Sequence, residues 1–390
     1  MNKQVFVFVV CGAKEHVDTL HLSIKYLKKY SKQEIWVITD SSRNEVTIEH
    51  ATIIDVKTPE YLNHHQASIY LKTGIHKFVP KGNLYCYLDT DVIAVSTACD
   101  DIFSQFNSPI IFAPDHCRVR KFSSYAVNCA CLQSREIDRK KFTDFVKAVQ
   151  VNTITNEYLN EKNKILQLHF DALKKSFLKK IYTAFRYFTS FPIFKLNTDF
   201  YFNKKTRTWH YRTGEVVMYE MNIEHMQKST GLEYNKWTQK WLNKQGEDIW
   251  YDECNHLIDC IHQTFGISIT DKNWQHWNGG VFLFNDASCD FLDAWHHKTM
   301  TIFSNSRWKT RDQGTLIATA WEFGLAKHPT LSKRFNFIAD YNNAGVQVDQ
   351  MNNLLTDDGF IHSHQACLIH VYHHWMDKEW SIWQWIESKL

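Results

Sequence analysis

Short apolar runs alternate with segments of helical pattern over the first third of the chain. Val5–Val10, Ile35–Thr39 and Tyr85–Leu88 are apolar runs of strand length, which predicts buried strands. Val17–Tyr30 has apolar residues at helical spacing, and Gln66–Phe78 is predicted to be a second helix. Because strands alternate with helices, the pattern predicts a mostly parallel sheet with helices on both faces, in the α/β class.

The pattern changes in the middle of the chain and then returns. Residues 142–263 contain long polar stretches without clear strand alternation, which predicts a mainly helical segment. Gly279–Phe284 and Leu368–Tyr372 again have the composition of strands, and Asp312–Trp321 has that of a helix. The predicted segments are therefore an N-terminal α/β part (1–141), a helical insertion (142–263) and the remainder of the α/β core (264–390).

The most informative stretch lies at the end of the predicted strand Tyr85–Leu88. Asp89 and Asp91 follow that apolar run, and apolar sequence then resumes. An unpaired buried charge is very costly, so a divalent cation is the natural partner of two such carboxylates. Oxygen ligands suit Mg²⁺ or Mn²⁺, ions that often also hold substrate phosphates. The sequence therefore predicts a metal–phosphate site beyond a strand end, where ligands of such sheets bind.

The residues alone leave three interpretations of this pair open. Asp89 and Asp91 could hold a divalent ion that bridges a nucleotide diphosphate, or they could be two solvated acids in a surface turn. Alternatively, Asp89 could be a phosphate-accepting nucleophile, a pattern that resembles the haloacid-dehalogenase phosphatases, with Asp357-Asp358-Gly359 as further metal ligands. Those phosphatases usually carry the motif on the first strand, whereas 84 residues precede Tyr85 here.

Later motifs favour the nucleotide interpretation. Trp277-Asn278-Gly279-Gly280 precedes an apolar run, Arg311-Asp312-Gln313 opens a predicted helix, and Ile369-His370 is followed by Lys378-Glu379-Trp380. In this order the motifs resemble those of the GT-A glycosyltransferases, most closely the family 8-like retaining enzymes, over residues 1–135 and 270–385. The resemblance implies a GT-A fold, which is a Rossmann-like mixed sheet flanked by helices, here with a large helical insertion.

The resemblance also implies roles for individual residues. A Mn²⁺ or Mg²⁺ ion would act as Lewis acid on the departing diphosphate, a basic side chain would add positive charge, and polar side chains would orient the sugar. The implied metal ligands are Asp89, Asp91 and His370; the catalytic residues are Asp312, Gln313 and Lys378; the donor-binding residues are Cys11, Gly12, Ala13, Lys72, Asn278, Gly279 and Gly280.

The sequence departs from the family pattern at two places. Cys11-Gly12-Ala13-Lys14 stands where the family usually has an aspartate after the first strand, which leaves the base of the nucleotide open. Glu379 replaces the usual proline, and two extra residues lie between His370 and Lys378. His373 and His374 therefore remain alternative metal ligands.

Charge and hydropathy bear on the partners. The net charge is only +3, with 45 basic and 42 acidic residues, which does not favour a nucleic acid partner. The expected partners are a nucleotide-sugar donor, with UDP as the expected carrier, and a glycan or lipid-linked acceptor. Residues 173–188 form a basic amphipathic pattern, which is typical either of a helix on an anionic membrane surface or of a solvated helix packed on the domain. The sequence thus predicts a cytoplasmic enzyme, with residues 173–188 as the candidate segment for contact with the inner face of the membrane. A non-catalytic nucleotide-sugar-binding protein is the alternative.

The ten cysteines include no Cys-x-x-Cys pair. Cys129-Ala-Cys131 is the closest spacing, and it is too tight for a usual zinc knuckle. Cys11, Cys86 and Cys260 lie inside apolar runs, as buried thiols commonly do. The cysteines therefore predict reduced thiols in a reducing compartment.

Overall fold

A computed structural model describes residues 3–150, 164, 167, 177–189, 193–195, 200–205, 208–214, 216–219, 223–235, 238, 240–340, 346–349, 354–356 and 366–390. Its strands are β1 (Gln4–Val9), β2 (Glu34–Thr39), β3 (Ile53–Asp55), β4 (Leu84–Leu88), β5 (Val92–Ala94), β6 (Ile111–Arg118), β7 (Ile193–Lys195), β8 (Phe200–Asn203), β9 (Thr208–Tyr211), β10 (Val216–Tyr219), β11 (Glu233–Asn235), β12 (Lys240–Leu242), β13 (Gln275–Phe284), β14 (Phe337–Asp340), β15 (Gln347–Asp349), β16 (Leu354–Thr356) and β17 (Leu368–Tyr372). Its α-helices are α1 (Lys14–Tyr30), α2 (His64–Thr73), α3 (Val119–Ala126), α4 (Cys131–Gln150), α5 (Phe177–Thr189), α6 (Ile223–Thr230), α7 (His256–Phe265), α8 (Cys289–Ile302), α9 (Arg311–Glu322) and α10 (Ser381–Glu387).

The chain divides into two compact units, which we call the core unit (residues 1–129 and 253–390) and the inserted unit (residues 130–252). The core unit is built around a six-stranded sheet of order β3-β2-β1-β4-β13-β6. β3, β2, β1 and β4 run parallel, whereas β13 is antiparallel to both of its neighbours. The expected α/β class, with a mixed sheet flanked by helices, is confirmed.

Both faces of this sheet are buried, which explains the continuous apolar runs in the sequence. Along β1, Val5 and Val7 join the hydrophobic cluster that also contains residues of α2 and α8. Phe6 and Phe8 point to the opposite face and join a cluster with residues of α1. Neither face of β4 meets water, and Asp89 stands just beyond its last residue, Leu88.

The core unit also contains a three-stranded sheet of order β14-β17-β5, which carries His370 on β17. Three residues separate the end of β4 from the start of β5, which pairs antiparallel with β17. The register sets His370 of β17 opposite Val92 of β5. The backbone amide of Val371 donates a hydrogen bond of 3.0 Å to the carbonyl oxygen of Asp91. This pairing brings a residue from the end of the chain to the strand end at Asp89.

The inserted unit contains helices α4, α5 and α6 and an antiparallel sheet of order β10-β9-β8-β7. Its core includes Met226, Leu232, Trp241 and Ile249. These strands differ from the mainly helical character expected for residues 142–263. Each of them has only three or four residues, which is too short to show a periodic pattern in the sequence.

Two predicted features fall on residues that the structure does not describe. They are the alternative metal ligands Asp357-Asp358-Gly359 and the first four residues, 173–176, of the basic amphipathic segment. Within the residues that the structure describes, no helix has the length and apolar character needed to cross a membrane.

Candidate functional site

Asp89, Asp91 and His370 converge at the carboxyl end of β4. Their ligand atoms lie within 4.8 Å of one another, and His370 Nε2 is 3.2 Å from Asp91 Oδ1. Burial opposes the charge of Asp91, but the adjacent His370 outweighs it and lowers the pKa of that carboxyl. Likewise burial lowers the pKa of His370, but Asp91 more than compensates and raises it. Two carboxylates and an imidazole form a donor set suited to Mn²⁺ or Mg²⁺.

The imidazole of His370 is held in one orientation. Its Nδ1 lies 3.1 Å from Asn336 Oδ1, and an amide oxygen can only accept, so Nδ1 carries a proton. When a cation replaces the proton on Nε2, that nitrogen would present its lone pair to the ion. A second group that fixes the tautomer of a ligating histidine is typical of metal sites. The donor set therefore fits a cation placed between Nε2 and the carboxylates.

Gly280 of β13 has no side chain, and this leaves space for the cluster of Asp89, Asp91 and His370. A Cβ atom at this position would lie 2.4 Å from His370 Cε1 and 2.9 Å from Asp89 Oδ2. The carbonyl oxygen of Gly280 accepts a 2.8 Å hydrogen bond from the Asp89 amide, which fixes the strand end against β13. The Asn-Gly-Gly motif is therefore a close approach of backbone to the charged side chains, for which glycine is required.

Lys72, near the C-terminal end of α2, links the carboxylate pair to a third acid. Its Nζ lies 3.1 Å from Asp89 Oδ1 and 3.1 Å from Asp312 Oδ2. Burial lowers the pKa of Lys72, but the two carboxylates outweigh burial and raise it above the ordinary value. Burial raises the pKa of Asp312, but the contacts with Lys72 outweigh burial and lower it below the ordinary value. Both groups are therefore charged at neutral pH. Lys72 thus sits between the predicted metal site and the predicted sugar-binding helix end.

Lys72→Met is expected to lower the free energy of unfolding by about 2–3 kcal/mol, because Asp89 and Asp312 would keep their charge without the cation that offsets it. Thermal denaturation in the presence of a chelator measures the effect. Lys77→Met is the matched control, since the exposed Lys77 forms a surface ion pair with Asp293 that is worth little. Equal stability of the two variants would contradict a structural role for Lys72.

Gln313, in the first turn of α9, contacts the backbone of β13. Gln313 Oε1 accepts a 2.9 Å hydrogen bond from the Gly279 amide, and Nε2 donates to the Trp277 carbonyl oxygen. The side chain of Asn278 lies between these residues, where its Oδ1 accepts from the Gly280 amide at 2.9 Å. The two motifs that are widely separated in the sequence therefore form one hydrogen-bonded unit beside the metal-binding candidates.

Asp115 supports this unit from β6. Its Oδ2 accepts a 3.0 Å hydrogen bond from Asn278 Nδ2, and His116 Nδ1 lies 3.1 Å from its Oδ1. Burial opposes the charge, but His276 and His116 outweigh it and hold the pKa of Asp115 well below its usual range. A buried carboxylate thus fixes the Asn278 amide, and through it the Gly280 backbone.

The residues Cys11, Gly12 and Ala13 form the turn between β1 and α1. The register pairs Phe8 with Leu88, so the ends of β1 and β4 lie at the same sheet edge. Gly12 has a φ of +115°, and its amide donates a 3.0 Å hydrogen bond to Asn44 Oδ1. Burial raises the pKa of the Cys11 thiol to about 11, so it is uncharged at neutral pH. The turn offers backbone groups, and no charge of its own, to a ligand at this edge.

The candidate residues that follow His370 are not part of the cluster of Asp89, Asp91 and His370. His373 and His374 are exposed and have φ values of +61° and +49°, and His374 Nδ1 is 3.1 Å from Asp377 Oδ2. The structure groups His370 with the two aspartates, and not His373 or His374. Lys378 is also exposed, and among the described residues its side chain forms no ion pair with Asp89, Asp91 or Asp312.

Sequence reasoning missed three residues that support the site. Asp115 follows an apolar run just as Asp89 does, so the same signal could have found it. Tyr87 donates its hydroxyl to Asp89 Oδ1 at 2.5 Å, but a tyrosine inside a strand gives no such signal. Asn336 precedes β14 without any motif around it, and only the fold brings it to His370.

No protein-family model and no curated protein matches the chain. Among solved structures, it is similar to the glycosyltransferase GlyE of Streptococcus pneumoniae TIGR4, with 18% identity over 29% of this chain and 30% of that chain and a TM-score of 0.21. The chain therefore spans less than a third of GlyE in that match. Mouse xyloside xylosyltransferase 1 is similar over 96% of this chain and 98% of its own, with 8% identity and a TM-score of 0.37. The galactosyltransferase LgtC, solved with donor and acceptor sugar analogues, is similar over 99% and 95%, with 10% identity and a TM-score of 0.38.

Likeness of fold does not define a function, because unrelated activities occur on shared folds. The function has to be derived from the residues of the site and their chemistry.

Proposed function

We propose that this protein is a metal-dependent glycosyltransferase of GT-A type. It would move a hexose from a nucleotide diphosphate sugar, UDP-linked, to a glycan or lipid-linked acceptor. The observation that carries the proposal is the convergence of Asp89, Asp91 and His370 with Lys72 and the Asp312-Gln313 pair at one sheet edge. A metal site alone would fit many reactions, whereas a metal site joined to a set of sugar-orienting groups favours transfer from a nucleotide sugar.

The metal would be held by Asp89, Asp91 and His370. When bound, Mn²⁺ or Mg²⁺ supplies a Lewis acid that stabilises negative charge on a diphosphate leaving group. The protein contributes the fixed orientation of its ligands, through Asn336 at His370 and Tyr87 at Asp89. Such fixed ligands do not reorganise as charge develops, which is the main source of electrostatic catalysis.

The donor sugar would lie against Asp312 and the β13 backbone. Lys72 contacts Asp312 Oδ2, and the Asp312 carboxylate would accept a hydrogen bond from a sugar hydroxyl. Gln313 would position Trp277 and Gly279 through the hydrogen bonds that it already makes to their backbone. Orientation of the sugar relative to the leaving group lowers the barrier by restricting the reacting geometry.

Cations complete the site on the diphosphate side. Lys72 places one positive charge next to Asp89 and would face the donor from α2. Lys378 would contribute a second positive charge to the β-phosphate as it departs, and its exposed position leaves its side chain free to turn toward a bound donor. The turn Cys11-Gly12-Ala13 would contact the nucleoside with backbone groups.

The phosphatase alternative requires a nucleophilic Asp89. In the structure Tyr87 and Lys72 both contact Asp89 Oδ1, and Lys72 Nζ is also 3.3 Å from Oδ2. Two donors at Oδ1 reduce the nucleophilicity of that oxygen, which disfavours its attack on phosphorus. The same contacts suit a metal ligand, whose orientation they fix.

A thermal-shift screen of nucleotide sugars tests the proposal. We expect one donor to raise the melting temperature only when Mn²⁺ is present, since binding to the native state adds about 2.7 kcal/mol at a hundredfold excess over Kd. The free sugar with Mn²⁺ serves as the control. Stabilisation by no nucleotide sugar, or equal stabilisation in the presence of a chelator, would contradict the proposal.

We further propose that α5 contacts the surface of a membrane. Six of its apolar side chains are more than half exposed, and they lie on the helix that the sequence marks as basic and amphipathic: Phe177, Leu178, Ile181, Tyr182, Phe185 and Phe188. An amphipathic helix of this kind would hold the enzyme near a lipid-linked acceptor.

Replacing Ile181 and Phe185 together by Glu is expected to abolish co-sedimentation with vesicles that contain anionic lipid, because two charges would enter the apolar face. Tyr61→Glu is the control, since the Tyr61 side chain is 82% exposed outside this helix. Equal co-sedimentation of the wild type and the double variant would show that α5 does not bind the membrane.

A further inference from the structure

A cluster of thiol and imidazole groups lies at the point where the chain leaves and re-enters the core unit. Cys129 is the last residue before the inserted unit, and Cys254 and His256 are the second and fourth residues after it. The Sγ atoms of Cys129 and Cys254 are 4.0 Å apart, although the two residues are separated by 125 positions in the sequence. The ligand atoms of Cys129, Cys254 and His256 all lie within 4.8 Å of one another.

We propose that Cys129, Cys254 and His256 bind a Zn²⁺ ion. Two thiolates and an imidazole are the donor set that Zn²⁺ prefers, and distances of about 4 Å between ligand atoms suit a tetrahedral ion with bonds of 2.0–2.3 Å. With three protein ligands, the fourth position of the tetrahedral ion would be taken by a water molecule. Binding would release the two thiol protons to solvent.

The surroundings of the cluster hold the ligands in place without the metal. The Cys254 amide donates a 3.1 Å hydrogen bond to the Arg120 carbonyl oxygen. Ser123 Oγ is 3.2 Å from Cys254 Sγ and also accepts a 2.8 Å hydrogen bond from the Leu257 amide. These contacts fix the segment from Cys254 to Leu257 on α3, so the ligands are already near each other when the ion arrives.

The proposed ion would link the start of α7 to Cys129. Closing a chain interval of 125 residues removes conformational freedom from the unfolded chain, so the ion would stabilise the fold. α7 in turn packs close to α9, since a Cβ on Gly314 would lie 3.4 Å from Leu257 Cδ1. Zinc would therefore support the helix whose first turn carries Asp312 and Gln313. The chemistry is distinct from the cluster at Asp89, which offers oxygen ligands.

A disulfide between Cys129 and Cys254 is the competing explanation. It would require the sulfur atoms to approach from 4.0 Å to about 2.05 Å, and it would leave His256 without a role in the cluster. Intact-mass measurement under non-reducing conditions distinguishes the two, because a disulfide lowers the mass by two hydrogen atoms.

The test measures the zinc content of the full chain, purified without chelator, by elemental mass spectrometry. We expect about one zinc per chain in the wild type and at least a tenfold lower content in Cys254→Ser and His256→Ala. Cys289→Ser, at a thiol elsewhere in the core unit, and Asp91→Asn, at the other metal cluster, are expected to keep the zinc. Replacement of the ion by Co²⁺ in the wild type should produce a thiolate-to-cobalt charge-transfer band, a result that does not depend on how well any variant folds.

Three results would overturn the proposal. The first is a wild-type protein that binds no zinc and shows no cobalt–thiolate band. The second is zinc that is lost in Asp91→Asn but kept in Cys254→Ser. The third is a mass that reveals a Cys129–Cys254 disulfide in the native protein.

Discussion

Asp91→Asn is expected to lower metal-dependent transfer, or hydrolysis of the donor when no acceptor is supplied, by at least about 100-fold. The amide keeps the shape of the side chain but loses the charge that binds the cation and that faces His370 Nε2 at 3.2 Å. The backbone hydrogen bond from Val371 to the Asp91 carbonyl oxygen does not involve the side chain, so the β5–β17 pairing should survive. The expected result is an inactive protein that remains folded.

The measurement is the release of nucleoside diphosphate over time at several Mn²⁺ concentrations, together with a melting curve. Asp101→Asn is the matched control, since Asp101 is an exposed aspartate of the same unit. The control should retain the wild-type rate. An Asp91→Asn variant with the wild-type rate and the wild-type apparent affinity for Mn²⁺ would exclude Asp91 as a metal ligand.

Gly280→Ala is expected to lower the same activity by about 100-fold, even though it adds a single methyl group. That methyl group would lie 2.4 Å from His370 Cε1 and 2.9 Å from Asp89 Oδ2, distances that real Cβ atoms do not show. Either the imidazole or the β4 strand end must move, and both carry proposed metal ligands. The apparent affinity for Mn²⁺ should therefore fall together with the rate.

Gly279→Ala is the neighbouring control. Its Cβ would meet Gln313 Oε1 at 3.1 Å, so the Gln313 side chain needs to shift by only a few tenths of an ångström. The expected loss is about tenfold or less, without a change in Mn²⁺ affinity. If the two alanine variants lose activity equally, the close approach at Gly280 does not shape the metal site.

The strands of the core unit could be predicted from the sequence because both faces of the sheet are buried. An apolar run such as that of β1 or β4 is the direct signature of this burial, and the bounds agree to within one residue. The short strands of the inserted unit gave no comparable signal. With three or four residues each, they are stabilised by their pairing with neighbours rather than by a periodic pattern.

The site could be predicted only in part, for a physical reason. Asp89 and Asp91 stand out because they interrupt an apolar run. The position of His370 depends on the register between β17 and β5, which no local pattern encodes. The partners of Lys72 likewise come from two distant elements, so the sequence indicated its side of the site but not its pairing with Asp312.

The support around the site was least predictable. Asn336 acts through His370, and no motif surrounds it in the sequence. Asp115 acts through Asn278, and only its place after an apolar run sets it apart. The spacing of Cys129 and Cys131 even favoured the absence of a zinc site. Only the fold shows that Cys254 and His256 return to the same place after 125 residues.

The central claim is that the cluster at Asp89 supports transfer of a sugar from a nucleotide diphosphate. The most direct test incubates the protein with the donor that stabilises it, with and without Mn²⁺, and quantifies nucleoside diphosphate, free or transferred sugar and inorganic phosphate. We predict equal amounts of nucleoside diphosphate and sugar, dependent on Mn²⁺, without inorganic phosphate. Release of inorganic phosphate from simple phosphate esters in the absence of any nucleotide, or donor binding without any product, would contradict the claim.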